Sequence, residues 1–492
     1  MLNGNSPPSS NRQQKLSKIG IIRGRSLFVI AILLSGDILS LILAFAFATQ
    51  IRRMLIPWIG GVINWDVFFP LLQLNLLSVL ISHALIGLYP GFGKTAVEEM
   101  RQIFSSVTLG YGLLGLAVYF QKAGPNFPRS VFILGWFCAC IFNLIARLII
   151  RNRASLFSWW GIPGVIIGPG DEAKDVIVRL LHSRRMGLRP VLFLDESDSI
   201  SESHILGVPV IRSWEALQQI TPAKRIMFAV LVESHDESRA LLTQRLKLAS
   251  KMFQTVLVVM SDSPLGSLWV RTMDLEGRLA LRTSYHLLDK NSIIFKRVFD
   301  LVIGSFIVIV SLPLFVIIAL LIKVESRGPV FYRQERLGLR GKTIHYLKFR
   351  TMRLGAEQEL EKLLKESSET RREFEKHHKL KRDPRVTRIG RFLRKFSLDE
   401  LPQFWHVLQG DLSLVGPRAY MIEEIKDIGD YAPLILQVRP GITGWWQVMG
   451  RHATTFQRRL QLDEYYISNW SIWLDIYILL KTVWVAASGV GA

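Results

Sequence analysis

The sequence predicts an α-helical membrane protein that also carries an α/β domain. We expect a four-helix transmembrane unit, a Rossmann-like α/β domain, and a mainly helical third domain with a re-entrant membrane helix. Three observations lead to this fold class. Four apolar stretches near the N-terminus are each long enough to approach or cross a bilayer. Short apolar runs then alternate with helical stretches, which is the pattern of a parallel sheet. A further long apolar run in the second half has basic residues on both sides.

The composition indicates a strongly basic chain that works at a lipid surface. Its 492 residues exceed what one hydrophobic core supports, so several domains are expected. A net charge of +21 requires an acidic partner, and 49% apolar residues favour a lipid bilayer over nucleic acid. Cys138 and Cys140 lie in an apolar run without the spacing of a metal site, so we expect them to be buried hydrophobic residues.

Residues 1–26 form a basic N-terminal segment, and residues 27–152 are predicted as the transmembrane domain. Its four predicted spans are 27–49, 67–88, 104–120 and 131–150. A signal peptide is the alternative for the first span. This span is longer than the apolar region of a signal peptide, so we expect an uncleaved helix.

Charged residues set the expected orientation of the four helices. Arg147, Arg151 and Arg153 close the last span and match the basic N-terminus, so both ends are predicted on the cytoplasmic side. Asp37 and His83 lie within spans. They indicate either a polar site between helices or hydrogen bonds inside the bundle.

Residues 160–262 are predicted to form the Rossmann-like domain, with strands at GVIIG, PVLFLD, IMFAVLV and TVLVVM. The first strand leads into a G-x-G-x-x-A match at Gly168, Gly170 and Ala173, and Asp195 follows at the distance of a ribose-binding acid. A nucleotide site is one interpretation. The alternative is a tight turn before a helix that packs on the sheet, since Pro169 removes an amide donor from any phosphate cradle.

Residues 263–290 are predicted as a connector, and an apolar run follows at about 298–322. Basic residues flank this run on both sides, which favours the same side of the membrane for both ends. Ser311 and Pro313 lie at its centre, where proline removes a helical hydrogen bond and the hydroxyl can bind a freed carbonyl. A re-entrant helix broken at Ser311–Pro313 accounts for both features, and a kinked spanning helix is the alternative.

The stretch KFSLDELPQFWHVLQGDLSLVGPR carries the chemistry that the sequence predicts. Asp399 and Glu400 are adjacent acids, expected at a helix N-terminus beside basic residues, where Asp399 should stay ionised. Such carboxylates can hold Mg²⁺, and one of them can attack phosphorus. The alternative is a capping box, in which Ser397 and Glu400 only cap the helix.

Basic side chains around this stretch are candidate ligands for an anionic substrate. Lys348 and Arg350 follow aromatic residues in the KFRTM segment, and arginine binds phosphate through two parallel hydrogen bonds. Arg418 closes a tight Gly-Pro-Arg turn that could return it to the acids.

The motifs KRVFD, GPVFYRQERLG, KFRTM, DPRVTRIGRFLRKFSLDELPQ, GDLSLVGPR and RPGITGWWQV occur in this order. Together they resemble the bacterial sugar transferases, the polyprenyl-phosphate sugar-1-phosphate transferases. The resemblance identifies residues 291–492 as the catalytic domain. The N-terminal half, including GLYPGFGKTAVEEMR, is similar to the undecaprenyl-phosphate galactose phosphotransferase branch.

The resemblance implies a two-step reaction with UDP-sugar and undecaprenyl phosphate as substrates. Asp399 would attack the β-phosphate of the UDP-sugar and release UMP, and undecaprenyl phosphate would then take the sugar phosphate from Asp399. Glu400 would help Asp399 to bind Mg²⁺. The predicted phosphate-binding residues are Lys348, Arg350, Arg385, Arg418 and Arg439. Ala419 stands where the family usually has proline, which puts the rigidity of that turn in question.

The family also implies a multi-pass protein of the bacterial inner membrane whose catalytic domain faces the cytoplasm. The partners are then the two substrates and the lipid bilayer, with no nucleic acid, and a homodimer is left open. Galactose is the expected sugar and glucose is the alternative. A glycosyltransferase that releases UDP and a membrane nucleotide-binding scaffold are the competing functions.

Overall fold

The structure is a computed structural model of the 492-residue chain. It describes residues 10–59, 65–120, 129–196, 202–224, 226–233, 239–253, 255–260, 270–275, 278–283, 286–366, 371, 383–449 and 455–487. Side-chain surroundings are described in the same ranges except 10–26, 59, 65–68, 71, 222–224, 239–240, 270–283, 288 and 357. The chain divides into two compact units, Met1–Ser263 and Pro264–Ala492.

The first unit begins with four apolar helices: α1 (Ser10–Ile59), α2 (Trp65–Leu85), α3 (Ala96–Phe120) and α4 (Arg129–Ala154). Three of them contain stretches long and apolar enough to cross a bilayer, and the apolar part found in α2 is shorter, Leu72–Leu85. Within the predicted basic segment 1–26, residues from Ser10 onward already belong to helix α1, while the stretch apolar enough to cross a bilayer begins at Leu27. No proline divides the basic residues from the apolar ones, so one helix continues through both; residues 1–9 lie outside the described residues.

A network of buried ion pairs joins these helices. Arg147 in α4 donates two hydrogen bonds to Asp37 in α1, at 2.9 and 2.6 Å. Glu99 in α3 pairs with Arg151 at 2.6 Å and with Arg147 at 3.6 Å. Asp37 therefore serves the hydrogen-bonded interior of the bundle, the second of its two predicted alternatives. His83 is also fully buried, with its ring centroid 6.3 Å from that of Tyr89, whose hydroxyl donates to Asp37.

The predicted strand and helix alternation is confirmed after the bundle. The elements are β1 (Ile162–Ile167), α5 (Gly170–His182), β2 (Leu188–Leu194), β3 (His204–Ile205), β4 (Val208–Ile211), α6 (Trp214–Lys224), β5 (Phe228–Glu233), α7 (Arg239–Met252) and β6 (Thr255–Met260). The sheet order is β3-β4-β2-β1-β5-β6, parallel except for the β3–β4 pair. Fully buried apolar side chains pack on both faces, because the central strands alternate Val165 and Ile167 with Ile166.

The glycine turn after β1 has a packing reason. A Cβ atom at Gly168 would lie 2.8 Å from the Val232 carbonyl oxygen in β5, so only glycine fits there. Pro169 precedes α5 and Gly170 is its first, buried residue. Asp195 is fully buried at the end of β2. The tight-turn alternative thus explains Gly168, and a nucleotide bound at Gly168, Gly170 and Asp195 stays a prediction.

The second unit begins with an antiparallel hairpin, β7 (Val270–Leu275) and β8 (Arg278–Thr283), inside the predicted connector. Residues 263–269 of that connector lie outside the described residues. The helix α8 (Lys290–Glu325) follows and continues through Pro313, so no helical interruption occurs at the predicted break. The Ser311 hydroxyl donates to the Val308 carbonyl at 3.2 Å, one residue before the carbonyl that proline leaves without its helical donor.

Both ends of α8 are attached to the same unit. Near its start, Lys296 pairs with Asp475 at 2.7 Å, and Asp300 accepts a hydrogen bond from Ser413. At its end, Glu325 accepts hydrogen bonds from the amides of Arg388 and Ile389 at 2.7 and 3.0 Å. Apolar side chains between these attachments are exposed, including Phe306 at 65%, Ile309 at 69% and Val310 at 62%. An exposed apolar middle between two attached ends suits a helix that dips into a bilayer.

The re-entrant path stays a prediction that paired cysteines can test. In a chain with Cys138→Ala and Cys140→Ala, we would place Asn291→Cys before the apolar run or Glu361→Cys after it. Both native residues are exposed. A re-entrant helix predicts that a membrane-impermeant thiol reagent labels both positions in inside-out vesicles and neither in intact cells. Labelling of the two positions from opposite sides would show that α8 spans the membrane.

The remaining elements surround the candidate site. They are β9 (Phe331–Leu337), β10 (Thr343–Phe349), α9 (Ala356–Glu366), α10 (Arg388–Lys395), α11 (Gln403–Gln409), β11 (Ser413–Val415), α12 (Ile425–Ile428), α13 (Ala432–Ile435), β12 (Gly441–Thr443), α14 (Trp445–Met449), α15 (Phe456–Ser468) and α16 (Ile472–Ala487). Strands β9 and β10 form an antiparallel hairpin, and β11 pairs with β12 in parallel. Ile318 and Ile322 of α8 pack with Phe349 and Leu393, which fixes the hairpin and α10 on the end of α8.

Candidate active site

The two acids lie in a short 3₁₀ turn, Leu398–Glu400, between α10 and α11. Ser397 precedes it in the left-handed conformation, with φ of 56°, and its side chain makes no capping hydrogen bond. An N-cap residue normally has an extended backbone, so this conformation does not form the cap. The capping-box alternative is therefore wrong. The predicted helix N-terminus is also displaced, because α11 begins only at Gln403.

The Glu400 carboxylate forms an ion pair with Lys348, which projects from β10. Lys348 Nζ lies 2.8 Å from Glu400 Oε1, and both side chains are partly buried. Burial acts to lower the pKa of Lys348, but the charge of Glu400, with Tyr346 and Asp399, more than offsets it. The net pKa of Lys348 is raised, so this amine stays a cation beside the two acids.

The first acid, Asp399, is partly buried. Burial and the neighbouring charge of Glu400 raise its pKa above the ordinary value, while Lys348 and Arg394 oppose that shift. The shift runs against the sequence prediction of an easily ionised Asp399, because the expected helix N-terminus is not there to favour the anion. The cations Lys348 and Arg394 favour the anionic form of Asp399 instead.

Sequence reasoning missed Arg394. Its Nε donates to the Thr351 hydroxyl at 3.0 Å, and its charge interacts with those of Asp399 and Asp383. Arg394 could have been found from its position in the last turn of α10, because this helix ends shortly before the two acids. The structure thus brings together two acids and two cations, contributed by β10, α10 and the turn before α11.

The acids fit a magnesium ion. No group of three or more His, Cys, Asp or Glu side chains suited to a metal occurs among the described residues. Mg²⁺ does not need one, because it commonly binds one or two carboxylates and completes its shell with water and substrate phosphates. The repulsion between Asp399 and Glu400, seen in the raised pKa of Asp399, is the interaction that a divalent cation would relieve.

Arg350 lies beyond Lys348 and anchors the end of α8. Its Nη2 donates to the Ser326 carbonyl at 2.8 Å and to the Ser326 hydroxyl at 2.7 Å. Burial lowers the pKa of Arg350. Its Nε and Nη1 are buried and have no hydrogen-bond acceptor among the described residues. Both nitrogen atoms are withdrawn from solvent, so the phosphate contact of Arg350 stays a prediction.

The other predicted phosphate ligands have structural partners elsewhere. Arg385 binds both carboxylate oxygens of Asp383, at 2.8 and 2.6 Å. Arg439 Nε donates to the Gly410 carbonyl at 2.9 Å, at the C-terminal end of α11. Arg418 lies 5.6 Å from the Trp446 ring and 3.5 Å from Glu424. None of these contacts involves Asp399 or Glu400, so the predicted return of Arg418 to the acids is not seen.

Two family models match the chain. The model described as bacterial sugar transferase matches residues 291–489, and the model described as CoA-binding domain matches residues 84–239. The first match contains the acids, their cations and α8. The second covers α3, α4 and part of the α/β domain, which includes the glycine turn.

Two curated relatives match over most of the chain, and a third matches over a shorter part of it. An undecaprenyl-phosphate galactose phosphotransferase of Salmonella typhimurium is 33% identical over 398 residues, 80% of this chain and 82% of that protein. A UDP-galactose-lipid carrier transferase of Erwinia amylovora is 32% identical over 80% of this chain and 82% of its own length. A UDP-glucose:undecaprenyl-phosphate glucose-1-phosphate transferase of Escherichia coli is 39% identical over 196 residues, 38% of this chain and 39% of that protein.

Proposed function

Because the chain belongs to the bacterial sugar transferase family, we propose that it transfers a sugar 1-phosphate from a UDP-sugar to undecaprenyl phosphate and releases UMP. This reaction would be the first membrane step of a surface polysaccharide, at the cytoplasmic face of the inner membrane. The observation that carries the proposal is the cluster of Asp399, Glu400, Lys348 and Arg394. Two acids with two cations, partly withdrawn from water, are suited to handle a diphosphate.

In the first step, a carboxylate oxygen of Asp399 attacks the β-phosphorus of the UDP-sugar. The bond between that phosphorus and the bridging oxygen breaks, and UMP leaves with the electron pair. In the second step, an oxygen of undecaprenyl phosphate attacks the same phosphorus and the Asp399–phosphorus bond breaks. The carboxylate is regenerated and the product is an undecaprenyl diphosphate sugar.

The cations and the second acid have distinct tasks in these steps. Lys348 and Arg394 favour the ionised, nucleophilic form of Asp399 against the effect of burial. Glu400 fixes Lys348 through their 2.8 Å contact. Asp399 and Glu400 would hold Mg²⁺, which supplies positive charge to the phosphate oxygens when bound. Arg350 anchors Ser326 at the end of α8, and its contact with a substrate phosphate is a further part of the proposal.

Galactose is the proposed sugar, because two relatives that match 80% of the chain carry galactose in their names. Glucose is the second candidate, since the glucose-1-phosphate transferase is 39% identical over 196 residues. The longer matches include residues of the N-terminal half, so they are the better guide to the sugar used by the whole chain.

The nucleotide product tests this proposal directly. Purified protein in detergent with Mg²⁺ and undecaprenyl phosphate should release UMP from UDP-galactose, in amounts equal to the lipid product, and more slowly from UDP-glucose. Chromatography of the nucleotides distinguishes UMP from UDP. UDP as the product would support the glycosyltransferase alternative, and no turnover with any UDP-sugar tested would favour the scaffold alternative.

A further inference from the structure

A fully buried aspartate, Asp463 in α15, holds the turn that carries Arg418. Its Oδ2 accepts one hydrogen bond from the Arg418 backbone amide at 3.0 Å and another from the Tyr420 hydroxyl at 2.8 Å. Its Oδ1 is also buried and receives no hydrogen bond from the described residues. A buried carboxylate with one unsatisfied oxygen is costly, so its retention here calls for a reason.

The turn above Asp463 packs closely against the start of β12. Gly416 and Gly441 approach so closely that a Cβ at Gly441 would lie 2.1 Å from the Gly416 nitrogen. The Arg418 guanidinium then lies over the Trp446 ring at 5.6 Å, and Arg459 of α15 lies over the same ring at 5.4 Å. Arg418 is still one-fifth exposed, so an anion can reach it.

We propose that Asp463 is a positioning residue for the transfer reaction: by binding the Arg418 amide and the Tyr420 hydroxyl, it fixes the direction in which Arg418 meets the anionic substrate. The inference rests on the proposed function, to which it adds the predicted contact between Arg418 and a substrate phosphate. It assigns Asp463 no contact with substrate. It also explains how the turn keeps its shape although Ala419 replaces the proline usual in the family.

The charge state of Asp463 changes in the working range of pH. Burial raises the pKa of Asp463 to about 7, against the lowering effects of the Arg418 amide, the Tyr420 hydroxyl and the Arg418 and Arg459 charges. The titratable and charged groups around it are Arg418, Tyr420, Glu424, Arg459 and Tyr466. Above pH 7 the ionised carboxylate accepts two charge-assisted hydrogen bonds. Below pH 7 the protonated form accepts weaker ones, so the turn is held less firmly.

The experiment compares pH profiles of kcat/KM for UMP release in the wild type, Asp463→Asn and Tyr420→Phe. Wild-type activity should fall as the pH decreases from 8 to 6. Asparagine resembles the protonated acid, so Asp463→Asn should lose about tenfold at pH 8 and lack the decline centred near pH 7. Tyr420→Phe removes a hydrogen bond that favours the ionised form. It should therefore move the decline to higher pH.

The outcomes separate this inference from the proposed function. If the wild type releases UMP while Asp463→Asn keeps both its rate and the decline near pH 7, Asp463 does not position Arg418. If Asp463→Asn does not fold, Tyr420→Phe decides alone, and an unchanged profile in that variant also overturns the inference. Absence of UMP release by the wild type at every pH would instead refute the proposed function.

Discussion

Replacing Asp399 by asparagine is expected to abolish UMP release, lowering kcat by at least about 10³-fold. Asparagine keeps the size of the side chain but has no anionic oxygen to attack the β-phosphorus. The loss should appear in the first step, so a single turnover with excess enzyme should release no UMP. Rapid quenching with nucleotide chromatography measures this step apart from the transfer to undecaprenyl phosphate.

Asp427→Asn is the matched control, because Asp427 is an exposed carboxylate of the same unit. Its rate should stay within twofold of the wild type. Thermal unfolding of both variants would show that the comparison is between folded proteins. Turnover by Asp399→Asn at the wild-type rate would leave the acids without a covalent role, whatever the family match implies.

Helices and strands could be predicted from the sequence where the apolar pattern of their own residues indicates the secondary structure. The central strands of the α/β sheet are apolar on both faces, so their positions could be predicted from apolar runs alone. The four apolar helices were also found. The start of α1 was not, because backbone hydrogen bonds continue from apolar into basic residues wherever no proline interrupts them.

In the candidate site, contacts between residues far apart in the chain could not be predicted from local sequence patterns. The Ser397 and Glu400 spacing matches a capping box, but Glu400 binds Lys348, which is 52 residues away in the chain. The ion pair with Lys348 takes the place of the capping hydrogen bond that Glu400 could have made to Ser397. Ser397 itself has a left-handed backbone. Likewise, Arg418 was expected near the acids from chain direction alone. The site holds Arg394 instead, because α10 ends against Thr351.

Asp463 and Arg350 also show that the residue type and its local pattern do not determine the role of a side chain. The sequence gives no local signal for Asp463, since an acid in an amphipathic helix is usually exposed, yet α15 places it under the Arg418 turn. Arg350 is a predicted phosphate ligand, and the structure shows that it also anchors Ser326 at the end of α8. An arginine can both stabilise the fold and bind a substrate, and the residue type alone does not show which of these roles it has.

Replacing Glu99 by glutamine is expected to destabilise the first unit by about 3–5 kcal/mol. Glu99 is almost fully buried and lies within 4 Å of three arginines: Arg151 at 2.6 Å, Arg185 at 3.4 Å and Arg147 at 3.6 Å. Glutamine has nearly the same shape but no charge, and its amide nitrogen is a donor where the carboxylate has an acceptor oxygen. It leaves cations in the interior of the unit without their shared counter-charge, and the desolvation of those cations is then only partly offset by Asp37.

The neighbouring Glu98→Gln variant provides the control, because Glu98 is only partly buried and its carboxylate accepts a long hydrogen bond, 3.5 Å, from Gln102. Its free energy of unfolding should change by less than about 0.5 kcal/mol. Denaturant titration in detergent micelles, followed by circular dichroism, measures both variants. Equal stabilities would mean that Asp37 alone compensates the arginines. A large loss confined to Glu99→Gln would show that one carboxylate ties α3 and α4 of the bundle to Arg185, which follows α5 of the α/β domain.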